Sequence, residues 1–176
     1  FGGKLHADAA VYYMRVRDLQ LSVMAGDYGY GRQMINAGRS SSCGVELSLR
    51  GTALDNRFTW AATYGYTHCQ LLDYEDNQVP FIPTHTFSAM TDYRIGKFTF
   101  GLNVAGNGPT YWDVDNEYRQ KLYATLGAHA MVDFGCIKLN VWGRNLTDTK
   151  YNTMLVNSSI DGTSRSFAQQ GNPLQV

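Results

Sequence analysis

Phe98-Thr99-Phe100-Gly101-Leu102-Asn103-Val104-Ala105-Gly106-Asn107 sets Phe98, Phe100, Leu102 and Val104 against Thr99, Gly101, Asn103, Ala105 and Asn107. Successive side chains of a strand point to opposite faces, so this alternation describes a strand with one apolar and one polar side. The pattern extends in both directions along the chain. Over 121–134, Leu122, Ala124, Leu126, Ala128, Ala130, Val132 and Phe134 oppose Tyr123, Thr125, Gly127, His129, Met131 and Asp133. Over 57–68, Phe58, Trp60, Ala62, Tyr64 and Tyr66 oppose Thr59, Ala61, Thr63, Gly65 and Thr67. Segments 42–51, 85–95 and 136–146 repeat it, and 4–23 does so less cleanly through Leu5, Ala7, Ala9, Val11 and Tyr13.

Connections alternate in length. Short turns are expected at Leu54-Asp55-Asn56, Gly96-Lys97 and Phe134-Gly135, and long ones at about 24–40, 70–84, 106–119 and 147–167. Short turns at one end and long loops at the other are the pattern of an outer-membrane barrel. Strands of ten or more residues suit a tilted crossing of the hydrocarbon layer. Phe58, Trp60, Tyr93, Phe98 and Phe134 fall near the short turns on the apolar side, as an interfacial girdle requires. A soluble sandwich also alternates, but its polar face needs charge. Here charged residues are 17% of 176, below the roughly 25% of a soluble domain, and the polar face is mostly Thr, Ser, Gly and Asn. The expected fold is therefore all-β: an antiparallel, up-and-down transmembrane β-barrel segment of seven strands and the start of an eighth. Residues 1–176 form one unit, and both ends read as cut from a longer chain.

Other function classes find little support. Lys and Arg balance Asp and Glu at 15 each, which leaves no basic field for nucleic acid. Cys43, Cys69 and Cys136 are widely spaced with no CxxC pair, and His6, His68, His85 and His129 lie on separate segments, so neither a metal nor a redox site is expected. Asp113, Asp115 and Glu117 lack the glycine and terminal Glu of an EF-type loop. No catalytic constellation and no cofactor motif emerges, and the chain is not read as an enzyme.

Five stretches in order carry a resemblance: Ser42-Cys43-Gly44-Val45-Glu46-Leu47-Ser48-Leu49, Ala61-Ala62-Thr63-Tyr64-Gly65-Tyr66-Thr67, Val79-Pro80-Phe81-Ile82-Pro83-Thr84-His85-Thr86-Phe87, Thr110-Tyr111-Trp112-Asp113-Val114-Asp115-Asn116 and Val141-Trp142-Gly143-Arg144-Asn145-Leu146-Thr147-Asp148-Thr149-Lys150-Tyr151. Together they resemble the C-terminal strands of TonB-dependent outer-membrane receptors of the siderophore type. The resemblance implies a plugged barrel of 22 strands, a size class known among outer-membrane transporters. It also implies a Gram-negative outer membrane, a plug domain from the same full-length chain, and coupling to the TonB system through an N-terminal part. The cargo it implies is a scarce extracellular small molecule, with a lean toward a ferric siderophore or related iron complex.

Two surfaces are candidates for function. One is the loop set with Tyr28, Tyr30, Tyr111, Trp112 and Asp113, whose rings offer rigid contact area to a ligand. The other is an inward row, Glu46, Arg50, Asp92, Arg94, Lys138 and Arg144, expected to pair with a plug or within the wall, because unpaired burial of charge is costly. The alternative is a free-standing eight-stranded outer-membrane barrel with a structural or adhesion role. Its inward residues would have to be bulky enough to fill it, whereas those here are rich in Gly, Thr, Ser and Ala.

Overall fold

The computed structural model describes residues 4–24, 32–160 and 163–176. Among them every regular element is a strand. Seven strands build one antiparallel sheet: β1 (Leu5–Val16), β4 (Ser40–Ala53), β5 (Phe58–Leu71), β6 (His85–Ile95), β7 (Phe98–Asn107), β10 (Tyr123–Asp133) and β11 (Lys138–Gly143), adjacent in that order. The remaining strands form small ladders in the long connections: β2 (Gln20–Met24) with β3 (Arg32–Asn36), β8 (Thr110–Tyr111) with β9 (Arg119–Gln120), and β12 (Asn152–Ile160) with β13 (Thr163–Gln170). Sheet neighbours in the wall follow one another along the chain apart from these insertions, so the wall is a meander with β1 and β11 at its edges. Beyond β11, Arg144 and Gln175 exchange backbone hydrogen bonds of 2.9 and 3.0 Å, adding a single antiparallel bridge.

The seven wall strands are those the alternation predicts, with one correction of extent. The first strand stops at Val16 instead of running to residue 23. Asp18 takes a left-handed φ of 56°, which Asp tolerates better than most residues, and the chain leaves the sheet there. Residues 20–24 then pair with 32–36 as part of the loop. Similarly, the long connection expected over 147–167 contains the β12–β13 hairpin.

The short turns carry their own chemistry. Between β4 and β5, Leu54, Asp55 and Asn56 are all left-handed, at φ 53°, 54° and 64°. Gly96 (φ 57°) opens the two-residue link of β6 to β7, where a hairpin of matching twist requires positive φ. Gly135 (φ 89°) follows Asp133, whose Oδ1 accepts its amide at 2.8 Å.

The wall is one sheet thick and has no core of its own. On the apolar face, Val11 is 81% exposed, Leu102 57% and Val141 66%. Burial occurs instead at the long-loop end, where Ala37, Cys69, Leu71 and Val79 pack together beneath Leu19, Leu21, Tyr74, Ile82 and Val114. Leu71, at the top of β5, is the largest fully buried side chain among the described residues. Leu71→Ala in the full-length protein is expected to cost about 2–5 kcal/mol, the range for a buried leucine whose cavity relaxes only in part. Denaturant unfolding and protease sensitivity of the long loops would check it; unchanged loop protection would mean the cluster does not hold the loops.

Candidate functional site

The polar face is organised by register. Tyr12, Gly44 and Thr67 lie opposite one another on β1, β4 and β5, and the Tyr12 hydroxyl reaches across the glycine to Thr67 Oγ1 at 2.7 Å. Asp92, Gly101 and His129 form an equivalent row on β6, β7 and β10, with His129 Nε2 3.2 Å from Asp92 Oδ1. A methyl group on Gly44 would collide with Tyr12, and one on Gly101 with both His129 and Asp92. Glycine on the middle strand is thus what lets side chains two strands apart meet. Asp92 Oδ1 is shielded from solvent, and among the described residues no donor is aligned for a hydrogen bond to it. Between β5 and β6 the hydroxyls of Thr63 and Ser88 meet at 2.8 Å.

The predicted inward row lies along this face but does not converge. Arg50 sits between His6 and Ala61, and Glu46 between Ala10 and Gly65; neither has an ion-pair partner among the described residues. Asp92 meets His129, Arg94 lies opposite Thr99, and Lys138 pairs with Asp133 at 3.0 Å. The Arg144 guanidinium lies 4.9 Å over the Trp142 ring. Ionisable side chains of this face occupy mainly the strand halves nearer the short turns, and hydroxyl and amide groups occupy the halves nearer the loops.

At the loop end, residues 72–84 and 108–122 are fastened together. Asn116 works as a two-way clip: its Oδ1 accepts the Gln78 amide at 2.7 Å while its Nδ2 donates to the Gln78 carbonyl at 3.0 Å. Asn77 donates to the Val114 carbonyl at 3.0 Å, and the Phe81 amide donates to the Tyr111 carbonyl at 2.8 Å. Among the predicted ligand residues, Asp113 spends its carboxylate on the loop, accepting the Glu117 and Tyr118 amides at 3.0 and 2.9 Å. Trp112 meets Phe81 edge-to-face at 5.6 Å, with its indole Nε1 shielded and without a hydrogen-bond partner among the described residues. Arg119 lies 6.0 Å from the Tyr111 ring centroid. Tyr28 and Tyr30 lie outside the described residues. Phe81, half exposed at φ 65°, joins this aromatic corner although the sequence reading did not single it out as a site residue; the prolines flanking it in Val79-Pro80-Phe81-Ile82-Pro83 were the available signal.

A salt bridge and an asparagine complete the frame. Arg39 donates to Asp73 through Nη2 at 2.7 Å, and Asp73 Oδ2 also accepts the Arg39 amide at 2.7 Å. These bonds hold the Asp73 carboxyl below the usual aspartate range. Asn145, 4% exposed, donates to the Thr149 and Asn172 carbonyls at 3.0 and 2.9 Å and accepts the Thr149 amide at 2.9 Å. The Asn-Leu-Thr-Asp stretch is therefore a structural staple. Near it Tyr151 stacks on Tyr123 at 4.2 Å.

A family model described as TonB dependent receptor-like, beta-barrel, matches residues 1–146. A pesticin receptor of Yersinia enterocolitica is 30% identical over 154 residues, covering 82% of this chain and 22% of that protein. The pesticin receptor of Yersinia pestis is 29% identical with the same coverage. The chain thus spans about a fifth of the length of these curated relatives. Among solved structures, the ferric yersiniabactin uptake receptor from Yersinia pestis superposes with a TM-score of 0.81 at 24% identity, over 98% of this chain and 26% of that one. A siderophore receptor from Acinetobacter baumannii gives 0.76 at 20% identity, over 99% and 25%.

The Arg39–Asp73 clasp has a definite pH sign. A carboxyl held low in the folded state stabilises it above the ordinary aspartate value of about 3.9, and that contribution disappears as pH falls through the folded value. Loop protection against amide exchange, with the intrinsic pH dependence of exchange divided out, is therefore expected to be flat at neutral pH and to fall only in acid below that range. Asp73→Asn is expected to raise loop exchange at neutral pH and remove its acid step; an Asn variant with the wild-type acid profile would rule the clasp out as its cause.

Proposed function

The chain belongs to the TonB dependent receptor-like β-barrel family, and on that premise we propose that it is wall and loop of an outer-membrane receptor that captures and imports a scarce ligand. In this reading residues 1–176 are the C-terminal portion of the barrel in a Gram-negative outer membrane. The cargo is a ferric siderophore or a related iron complex, the class named for the structurally similar receptors from Yersinia pestis and Acinetobacter baumannii. A plug from the same full-length chain fills the lumen, and the TonB system acts through an N-terminal part. The receptor binds and translocates, with no covalent step.

The observation that carries the reading is a wall with two exposed faces of opposite character. An apolar face of this extent in water would cost about 25 cal/mol for each Å² left uncovered. Lipid removes that cost on one side, and a lumen with its plug hydrates or pairs the polar side. Arg50 and Glu46, without ion-pair partners along the wall, suit pairing with plug residues. The free-standing eight-stranded barrel is not favoured, because the family model and the similar receptors, of which this chain spans about a quarter, are of the larger barrel.

Three experiments test this. Expressed at full length in a strain lacking its own iron receptors, the protein is expected to support uptake of a radio-iron chelate only when TonB is present. Uptake that ignores TonB would refute energy coupling. Leu102→Arg is expected to cost about 2–4 kcal/mol of folding stability in a bilayer, and Asn103→Arg far less, because only the former faces lipid; equal costs would reverse the assignment of faces. Arg50→Ala is expected to loosen the plug and raise entry of a large antibiotic, whereas unchanged entry would count against plug docking at this row.

A further inference from the structure

The loop-end half of the polar face differs chemically from the half below it. A concavity of about 270 Å³ opens there, bordered by Thr63, Thr86, Ser88, Asn107, Tyr123 and Thr125, with Tyr151 stacked behind Tyr123. Among the described residues no charged side chain lines it. Its groups are held in place: Thr63 meets Ser88 at 2.8 Å, Asn107 Nδ2 donates to the Tyr123 hydroxyl at 3.2 Å, and Thr125 Oγ1 donates to the Ala105 carbonyl at 3.3 Å. Tyr151 is pressed between Tyr123 and the backbone of Gly171, where an added methyl would strike its ring. By contrast His6, Arg50, Asp92, Arg94 and His129 lie further down their strands, while Glu46 and Asp8 share rows with the patch but stand two strands or more from it. Of the loops above, segments 72–84 and 108–122 are acidic, with six Asp and Glu residues against two Lys and Arg.

We propose that this patch is a binding site on the inner wall for an uncharged, hydroxyl- and amide-rich iron chelate, such as a neutral hydroxamate, and that the receptor discriminates against polyanionic chelates. The proposal rests on the transport reading and names its cargo class. Hydroxyl and amide groups both donate and accept, so they replace the water around a neutral polar cargo at little cost. A polyanion would lose hydration without meeting a counter-charge on this patch, and it would approach past Glu75, Asp76, Asp115 and Glu117, all exposed. The carboxylates act here only through their repulsion; the site itself is the neutral wall.

The test is binding of two probes to the purified full-length receptor: ferrichrome, a neutral iron trishydroxamate, and ferric enterobactin, a trianionic tricatecholate. The neutral chelate is expected to bind at least about tenfold more tightly, a gap that converts to about 1.4 kcal/mol. Ser88→Ala combined with Tyr123→Phe, which removes two hydroxyls and keeps the packing, is expected to weaken ferrichrome by about tenfold at unchanged binding capacity. Equal or tighter binding of the tricatecholate overturns the proposal and leaves transport standing. So does a double variant with unchanged affinity but greater antibiotic entry, which would give the patch to the plug. Failure of both chelates, with no chelate imported in a TonB-dependent manner, removes the transport reading and this proposal with it.

Discussion

A wall one sheet thick has no interior, and that constraint governs the rest of the molecule. Apart from the outer edges of β1 and β11, its backbone polar groups are satisfied strand to strand, the condition under which a sheet can cross hydrocarbon. Its side chains must be solvated by whatever lies on either face. Hydrophobic burial, the usual organiser of a fold, is therefore displaced to the loop end. There Leu71 and Val79 close under residues contributed by three long connections. Ladder register fixes the wall, and the small cluster above fixes the loops.

Within the wall, reach across strands depends on what the middle strand omits. Neighbouring strands lie about 4.8 Å apart, so side chains two strands away are about twice that distance apart and do not ordinarily touch. Gly44 and Gly101 remove the obstacle at two rows, and the long side chains of Tyr12 and His129 cover the remaining gap. Cross-links of this kind couple three strands at one level without adding bulk to the polar face. Each row becomes stiffer while the face stays open.

Much of this architecture was legible in the residues. Period-two alternation located every wall strand, because a strand with unlike faces leaves that signature whatever covers it. The first strand was overextended because Leu19, Leu21 and Val23 keep the alternation going after Asp18 has turned the chain out of the sheet. Pattern reports a strand and is silent about its partner. The same limit applied to the site. Alternation assigned Glu46, Arg50 and Asp92 to one face, yet the His129–Asp92 contact depends on the register of three strands and on a glycine between them. Phe81 escaped notice because its place beside Trp112 is set by backbone pairing between loops distant in sequence.

The loop end has a consequence for how a receptor of the proposed kind would work. Asn116 clips one loop to the next, Arg39 ties the base of the first long connection to Asp73, and the buried cluster draws on all three. Loops joined by both core packing and paired hydrogen bonds open together or not at all, since releasing one exposes the apolar residues of the others. Asp113 adds to this by spending its carboxylate on its own loop. Such a rim presents arriving cargo with a fixed aromatic surface, and recognition there draws on preorganisation, with little ordering cost at the moment of binding. Movement that admits the cargo must then come from inside the barrel. That is where the wall leaves Arg50 and Glu46 without ion-pair partners of their own, and where the uncharged patch around Tyr123 lies.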